Sequence, residues 1–273
     1  MKIDSHQHFW KYNSHEYDWI PADIIRKDFL PADLKPILDE NDFDACVAVQ
    51  ARQNETETEW LLELASENDF IKGVVGWIDL RDDKIEARIE HFKHYEKLKG
   101  FRHVVQGEPD DRFIVRPEFV RGIKILEKHG IPYDILIFAK HLSVSLEFVK
   151  MFPEHDFVID HIAKPDIANN GYEYWLKNMQ PFKSFSNVRC KLSGMVTETN
   201  YNKWRAEDFH PYLESCLDIF GPERLMIGSD WPVCLLSGQY QPVMNIVKDF
   251  ISTLSQSEQS QILGKTASEF YRI

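Results

Sequence analysis

The sequence predicts an α/β protein folded as one (β/α)8 TIM barrel that spans residues 1–273. Short apolar runs alternate with longer amphipathic stretches along the whole chain, the pattern of repeated strand–helix units on a parallel sheet. Eight such runs can be counted, and the 273 residues suit a fold that commonly takes about 250. An open doubly wound sheet uses the same repeat, but no glycine-rich nucleotide fingerprint follows any of the strands.

The strands are expected at 2–8, 45–51, 71–80, 100–106, 133–138, 157–163, 188–193 and 225–230. Most are rich in Val, Ile, Leu and Phe, as strands buried on both faces should be. The first is followed by an irregular segment, 9–30, carrying Phe9, Trp10, Tyr12, Tyr17, Trp19 and Phe29. Its place after a strand puts it at the barrel mouth, where it would either line the site or pack down on its own aromatics. Between the second and third strands, 55–68 sets Trp60, Leu61, Leu64 and Ala65 on one helical face. Between the fourth and fifth, Phe119, Val120, Ile123 and Leu126 do the same. His129-Gly130-Ile131-Pro132 and Asp218-Ile219-Phe220-Gly221-Pro222 read as helix stops. The stretch 256–273 reads as closing helices with Ile262, Leu263, Ala267, Phe270 and Tyr271 inward.

The composition is that of a globular protein, 43% hydrophobic and 28% charged. A formal net charge of −12 argues against nucleic-acid and anionic-membrane partners, which require clustered cations. Cys46, Cys190, Cys216 and Cys234 form no CxxC pair. With no apolar leader after Met1 and no apolar run of about 18 residues, the expectation is a reduced, cytoplasmic protein.

Chemistry-bearing residues fall at strand ends. His6 and His8 are two apart on the first strand, so both imidazoles point the same way. That suits a metal ion or a polarised substrate group, and equally a pair of satisfied core histidines. His161 ends the sixth strand and Asp230 the eighth. Asp230 has an alternative role as a helix N-cap. Asp160 is expected to point away from His161, orienting loops or pairing with a lysine. Three separate strand ends then surround one cavity.

Set in order, Asp4-Ser5-His6-Gln7-His8-Phe9-Trp10, Val75-Gly76-Trp77-Ile78-Asp79-Leu80, Gly100-Phe101-Arg102-His103-Val104, Asp160-His161 with Lys164-Pro165, Cys190-Lys191-Leu192-Ser193-Gly194 and Gly228-Ser229-Asp230-Trp231-Pro232-Val233 span nearly the full chain. On these motifs the chain resembles the amidohydrolase superfamily, in the lactonase branch that includes L-fuconolactonase, L-rhamnonolactonase and pyrone-dicarboxylate lactonase. Binuclear members of that superfamily place a carboxylated lysine or glutamate on the fourth strand and a histidine on the fifth. Here those strands read Phe101-Arg102-His103-Val104 and Tyr133-Asp134-Ile135-Leu136-Ile137-Phe138. His141 lies just beyond and reads first as a helix-start residue. The expectation is therefore one divalent ion, zinc before others, on His6, His8 and Asp230, or none, and no organic cofactor.

The resemblance implies opening of a sugar lactone to its aldonic acid, a step of carbohydrate metabolism. Asp230 would act as general base and then as acid toward the leaving oxygen. His161, or a metal, would stabilise the oxyanion. Gln50, Arg102, His103 and Lys191 are candidate substrate binders, with a rim ion pair as the alternative for Arg102. Trp77 and Trp231 suit either sugar stacking or the core. Few cations on the predicted strand ends favour a neutral polyol, such as a six-carbon deoxy-aldonolactone, over a dicarboxylate. Arg26, Arg52 and Arg112, on unplaced loops, could alter that. Competing readings are a metal-dependent decarboxylase of a carboxylated aromatic and a catalytically silent sugar-acid binding barrel. A homo-oligomer is compatible with the sequence but not specified by it.

Overall fold

The computed structural model describes residues 1–273. Its strands are β1 (Ile3–Gln7), β2 (Ala45–Val49), β3 (Ile71–Gly76), β4 (Leu98–His103), β5 (Tyr133–Ile135), β6 (Phe157–Ile159), β7 (Val188–Leu192) and β8 (Leu225–Ile227). They pair in sequence order, every ladder parallel. The barrel closes at the mouth, where Gln7 bridges Trp231, the His8 amide donates to the Trp231 carbonyl (2.7 Å) and the Asp230 amide to the His6 carbonyl (2.8 Å). The seam thus runs through the residues expected to form the site.

Helices α1 (Pro31–Glu40), α2 (Glu55–Glu67), α3 (Ile85–Phe92), α4 (Pro117–His129), α5 (Leu142–Val149), α6 (Tyr172–Met179), α7 (His210–Phe220) and α8 (Tyr240–Ile251) follow the successive strands. Helix α4 shows the local logic: Pro117 opens it, Phe119, Ile123 and Leu126 are buried, and Gly130 ends it at φ +64°. Proline's fixed φ suits the first turn, and glycine takes the left-handed cap without a Cβ penalty. Two short helices, α9 (Gln256–Ser260) and α10 (Thr266–Tyr271), close the chain. Ala267, Phe270 and Tyr271 of α10 pack with Ile3, Val47, Val49, Val75, Val158 and Met226. A larger apolar layer lies between the sheet and the helices.

The expected strand order holds, but every strand ends earlier than predicted, the fifth already at Ile135. The third ends at Gly76 and the eighth at Ile227, and the sixth gives way at Asp160 to a left-handed turn. Segment 9–30 fulfils both expected roles. Trp10 and Phe29 form an antiparallel bridge and pack with Tyr17, Trp19 and Trp231, while Trp19 also lines the mouth cavity. All four cysteines are free and buried. No helix is long and apolar enough to cross a membrane.

Candidate active site

Asp230 is the hub of the barrel mouth. Its Oδ1 lies 3.2 Å from His8 Nε2, 3.8 Å from His161 Nε2 and 3.9 Å from His6 Nε2. All four side chains are buried. The three imidazoles arrive from strand ends on opposite sides of the mouth and aim at one carboxylate oxygen.

His6 is held from below by a buried charge cluster. Its Nδ1 sits 3.3 Å from Asp160 Oδ1, and its Nε2 accepts from Arg102 Nη1 at 3.2 Å. Nδ1 also lies 3.2 Å from the Lys191 ammonium, so each ring nitrogen faces a cation that only donates and Nδ1 faces a carboxylate as well. Asp160 is gripped by Arg102 (3.0 Å) and Lys191 (3.0 Å), and Lys191 reaches Asp134 (2.6 Å), which also accepts from Tyr271 (2.7 Å). Two carboxylates face two cations, the pairing that makes such burial tolerable. Burial alone would raise the Asp160 pKa, but Lys191, His6 and Arg102 outweigh it and hold the carboxyl well below the usual range. Burial pushes His6 and His161 well below the ordinary histidine value, so both imidazoles are neutral.

His161 depends on unusual backbone. His161, Ile162, Ala163 and Lys164 have φ of 55°, 49°, 61° and 46°. Left-handed conformation costs a non-glycine residue about 1–2 kcal/mol. Such strain persists only where the surroundings over-determine it. Here Ile162 and Ala163 are fully buried, Lys164 N donates to the His161 carbonyl (2.8 Å), and the Trp175 indole N–H donates to the Ile162 carbonyl (2.7 Å). The ring is further fixed by Ser193 Oγ, 2.9 Å from Nδ1. Asp230 is itself left-handed at φ 57°, a conformation aspartate tolerates better than most residues.

The His8–Asp230 contact reveals what the site requires. His8 Nδ1 lies 2.7 Å from the Val49 carbonyl, which can only accept, so the proton is on Nδ1. That leaves a lone pair on Nε2, 3.2 Å from Asp230 Oδ1. Two electron-rich atoms at that separation need a cation, either a proton between them or a metal ion. Burial would raise the Asp230 pKa, yet the facing His161 and His8 imidazoles, with the Lys164 ammonium beyond them, hold it below the usual carboxylate range. The donor set fits a divalent ion. Ligand atoms of His6, His161 and Asp230 all lie within 4.8 Å of one another. This trio has His161 where the sequence suggested His8, which flanks Asp230 instead.

The candidate substrate binders separate sharply. Arg102 lines the mouth cavity, of about 570 Å³, together with His8, His161 and Asp230. Gln50 holds Arg102: its Oε1 accepts from Nη2 (3.2 Å), as does its backbone carbonyl, and its Nε2 donates to the Arg102 carbonyl (3.3 Å). Lys191 does not reach the cavity, because it is fully buried beneath His6. His103 is also misplaced by the sequence reading. Strand alternation turns it out of the barrel, where Nδ1 accepts from Trp77 Nε1 (3.1 Å), Nε2 meets Glu108 (2.7 Å) and the ring stacks on Phe113. Trp231 is core, and Trp77 serves His103.

Trp19 and Arg52, which the sequence allowed at the mouth, do line it, while Gln53, Asn54, Gln106 and Lys164 were not singled out. Most directly follow the ends of β2 and β4, the positions from which a barrel mouth is built. Arg52 is committed to Glu16 (2.6 Å) and lies over the Tyr17 ring. Arg26 and Arg112 stay outside the cavity, paired with Asp23 and Glu147.

A parallel eight-stranded barrel with a histidine on β1 and another just after it, a histidine after β6 and an aspartate after β8 defines an amidohydrolase-type site. The sequence model of the amidohydrolase family matches residues 3–273, and the chain belongs to that family. It is 39% identical to an L-fucono-1,5-lactonase of Burkholderia multivorans, over 100% of this chain and 96% of that one. An L-fucono-1,5-lactonase of Burkholderia ambifaria is 35% identical with the same coverage. A crystal structure of a Burkholderia multivorans amidohydrolase with bound zinc superposes with a TM-score of 0.96 at 39% identity, covering 100% of this chain and 99% of the other.

Proposed function

We propose that the protein is a hydrolase that opens a sugar lactone of the L-fucono-1,5-lactone type to its aldonic acid. The observation that carries this reading is Asp230, a buried carboxylate held ionised at the centre of three imidazoles and open to the mouth cavity. Names of relatives at 39% and 35% identity support the substrate class.

A lactone is an activated ester, so its opening needs a nucleophilic water, a polarised carbonyl and a proton for the ring oxygen. Asp230 takes the proton from water as the oxygen bonds to the carbonyl carbon. His8, whose Nε2 faces Asp230, shares that proton. The same proton is returned to the ring oxygen as the carbon–oxygen bond breaks. His161 donates toward the carbonyl oxygen when its Nε2 carries hydrogen, and Ser193 can then donate to Nδ1. Arg102 supports His6 and adds positive potential to the cavity wall. A divalent ion, zinc being our first choice, would be held by His6, His161 and Asp230, and when bound it polarises the carbonyl and acidifies water. Gln53, Asn54, Gln106 and Trp19 suit the hydroxyls and ring face of a polyol.

The charges also bear on substrate class. Arg52 and Arg102 are already paired, and Glu16 and Asp18 stand on the rim. A dicarboxylate would have to enter with its charges largely uncompensated. This disfavours a pyrone dicarboxylate. Decarboxylation of an aromatic acid is not favoured either, since the lactonase relatives match the full chain. A proton-release assay on L-fucono- and L-rhamnonolactone, 2-pyrone-4,6-dicarboxylate and simple aliphatic lactones tests the proposal. Turnover of the sugar lactones without carbon dioxide supports it; turnover of the dicarboxylate alone rejects it.

A further inference from the structure

Among the cations of the mouth cavity, Lys164 is the least tightly held: it lies over the Phe138 ring and meets only one carboxylate, at long range. Arg52 and Arg102 are held by carboxylates at 2.6 and 3.0 Å. The Lys164 ammonium makes no hydrogen bond; its nearest carboxylate, Glu198, lies 3.9 Å away, beyond hydrogen-bonding reach. The side chain is 16% exposed and stands between two cavities, the one lined by His8, Arg102, His161 and Asp230 and a neighbouring one lined by Glu198 and Phe138. An ammonium that borders the cavity with N–H groups unused by hydrogen bonds is available to an anion bound there.

Its backbone adds an independent observation. Lys164 is the last residue of the left-handed run that begins at His161. One strained turn, pinned by Trp175 and buried through Ile162 and Ala163, delivers both side chains to one wall. An extended continuation of β6 would turn residues three apart to opposite faces. Strain of this kind gathers where geometry serves function.

The chemistry supplies a ligand for that ammonium. Opening a neutral lactone adds one water: water oxygen bonds to the carbonyl carbon, the ring carbon–oxygen bond breaks, and the ring oxygen takes a proton. The acid formed then releases its proton to solvent, so one negative charge appears where none existed. Resting on the lactonase reading, we propose that Lys164 is a further catalytic residue, which receives the charge developing on the lactone carbonyl and then holds the product carboxylate. A group that gains its partner only as charge develops favours the transition state over the neutral substrate. One loosely paired cation also matches one carboxylate.

The test compares wild type, Lys164→Met, Lys164→Arg and Glu198→Gln in two assays. The first is turnover of L-fucono-1,5-lactone. The second is calorimetric binding of L-fuconate, the charged product, against L-fucitol, its neutral alditol. Lys164→Met is expected to lower kcat/KM by about 10²–10³-fold, as loss of one oxyanion donor does. It should weaken L-fuconate by at least about tenfold, in line with a charged hydrogen bond, with L-fucitol affinity unchanged. Lys164→Arg should retain L-fuconate binding, and Glu198→Gln should tighten it by removing the competing carboxylate. Wild-type L-fuconate affinity in a folded Lys164→Met protein, or equal losses for L-fuconate and L-fucitol, would overturn the assignment. A wild type without sugar-lactone turnover would overturn the activity reading, and this proposal with it.

Discussion

Replacing Gly194 by alanine should injure the site through a single methyl group. Gly194 has φ +63°, and a Cβ built on it falls 2.5 Å from His161 Cγ and 2.9 Å from His161 Cβ. Two costs add: about 1–2 kcal/mol for left-handed alanine, and about 1–3 kcal/mol for forcing atoms into a packed site. The sum is about 2–5 kcal/mol, and in a chain of this size each kcal/mol lowers Tm by about 2–4 °C. The methyl must also push the imidazole off Ser193 and away from Asp230. Displacement of a reacting group by about 1 Å is worth roughly 10²-fold in rate. Gly130→Ala is the control: its φ is +64°, but the nearest atom to its Cβ, Arg272 Nη1, is 3.7 Å away. It carries the backbone cost without the clash and should keep full activity. The assay is thermal unfolding and lactone turnover of both variants. Equal Tm losses with equal, wild-type activity would refute the reasoning.

Other perturbations separate structural from chemical roles. Lys191→Met should cost about 3–5 kcal/mol, as breaking a buried pair does, because Asp134 and Asp160 lose their shared cation; urea unfolding measures this, and unchanged stability with only a raised KM would restore Lys191 as a substrate binder. His155 is buried with Nε2 unpartnered, and burial lowers its pKa to about 4 from 6.5. The unfolded chain therefore binds more protons between those values, so stability falls as pH drops from 6.5 to 4, by about 3 kcal/mol at 1.36 kcal/mol per unit. His155→Phe should flatten stability against pH over that window, and an unaltered slope would exclude His155 as its source.

The repeated apolar runs revealed the strand order because each barrel strand is buried on both faces and separated by an amphipathic helix. His6, His8, His161 and Asp230 were legible because strand ends converge at the mouth. The errors have physical reasons. The run Phe157 to Ala163 is apolar enough for a continuous strand, and nothing in Ile162-Ala163 signals left-handed backbone, which is imposed by tertiary packing such as the Trp175 hydrogen bond. His103 was a recoverable error: if Arg102 points into the barrel, period-two alternation turns its neighbour out. Lys191 points inward but sits two residues below Ser193, a layer too deep to touch substrate. Gln53, Asn54 and Gln106 lie on irregular backbone, where composition gives no direction to a side chain.

The most direct test of the account is turnover of L-fucono-1,5-lactone by wild type and Asp230→Asn, with matched circular dichroism spectra. Asparagine keeps the volume of Asp230, tolerates φ 57° and can donate to His8, so the fold should survive. What is lost is the proton acceptor, and removal of a general base costs about 10²–10⁴-fold. The account predicts rapid opening by wild type and a fall of that size in kcat for the folded variant. Near-wild-type turnover by Asp230→Asn, or no turnover by wild type, would contradict it.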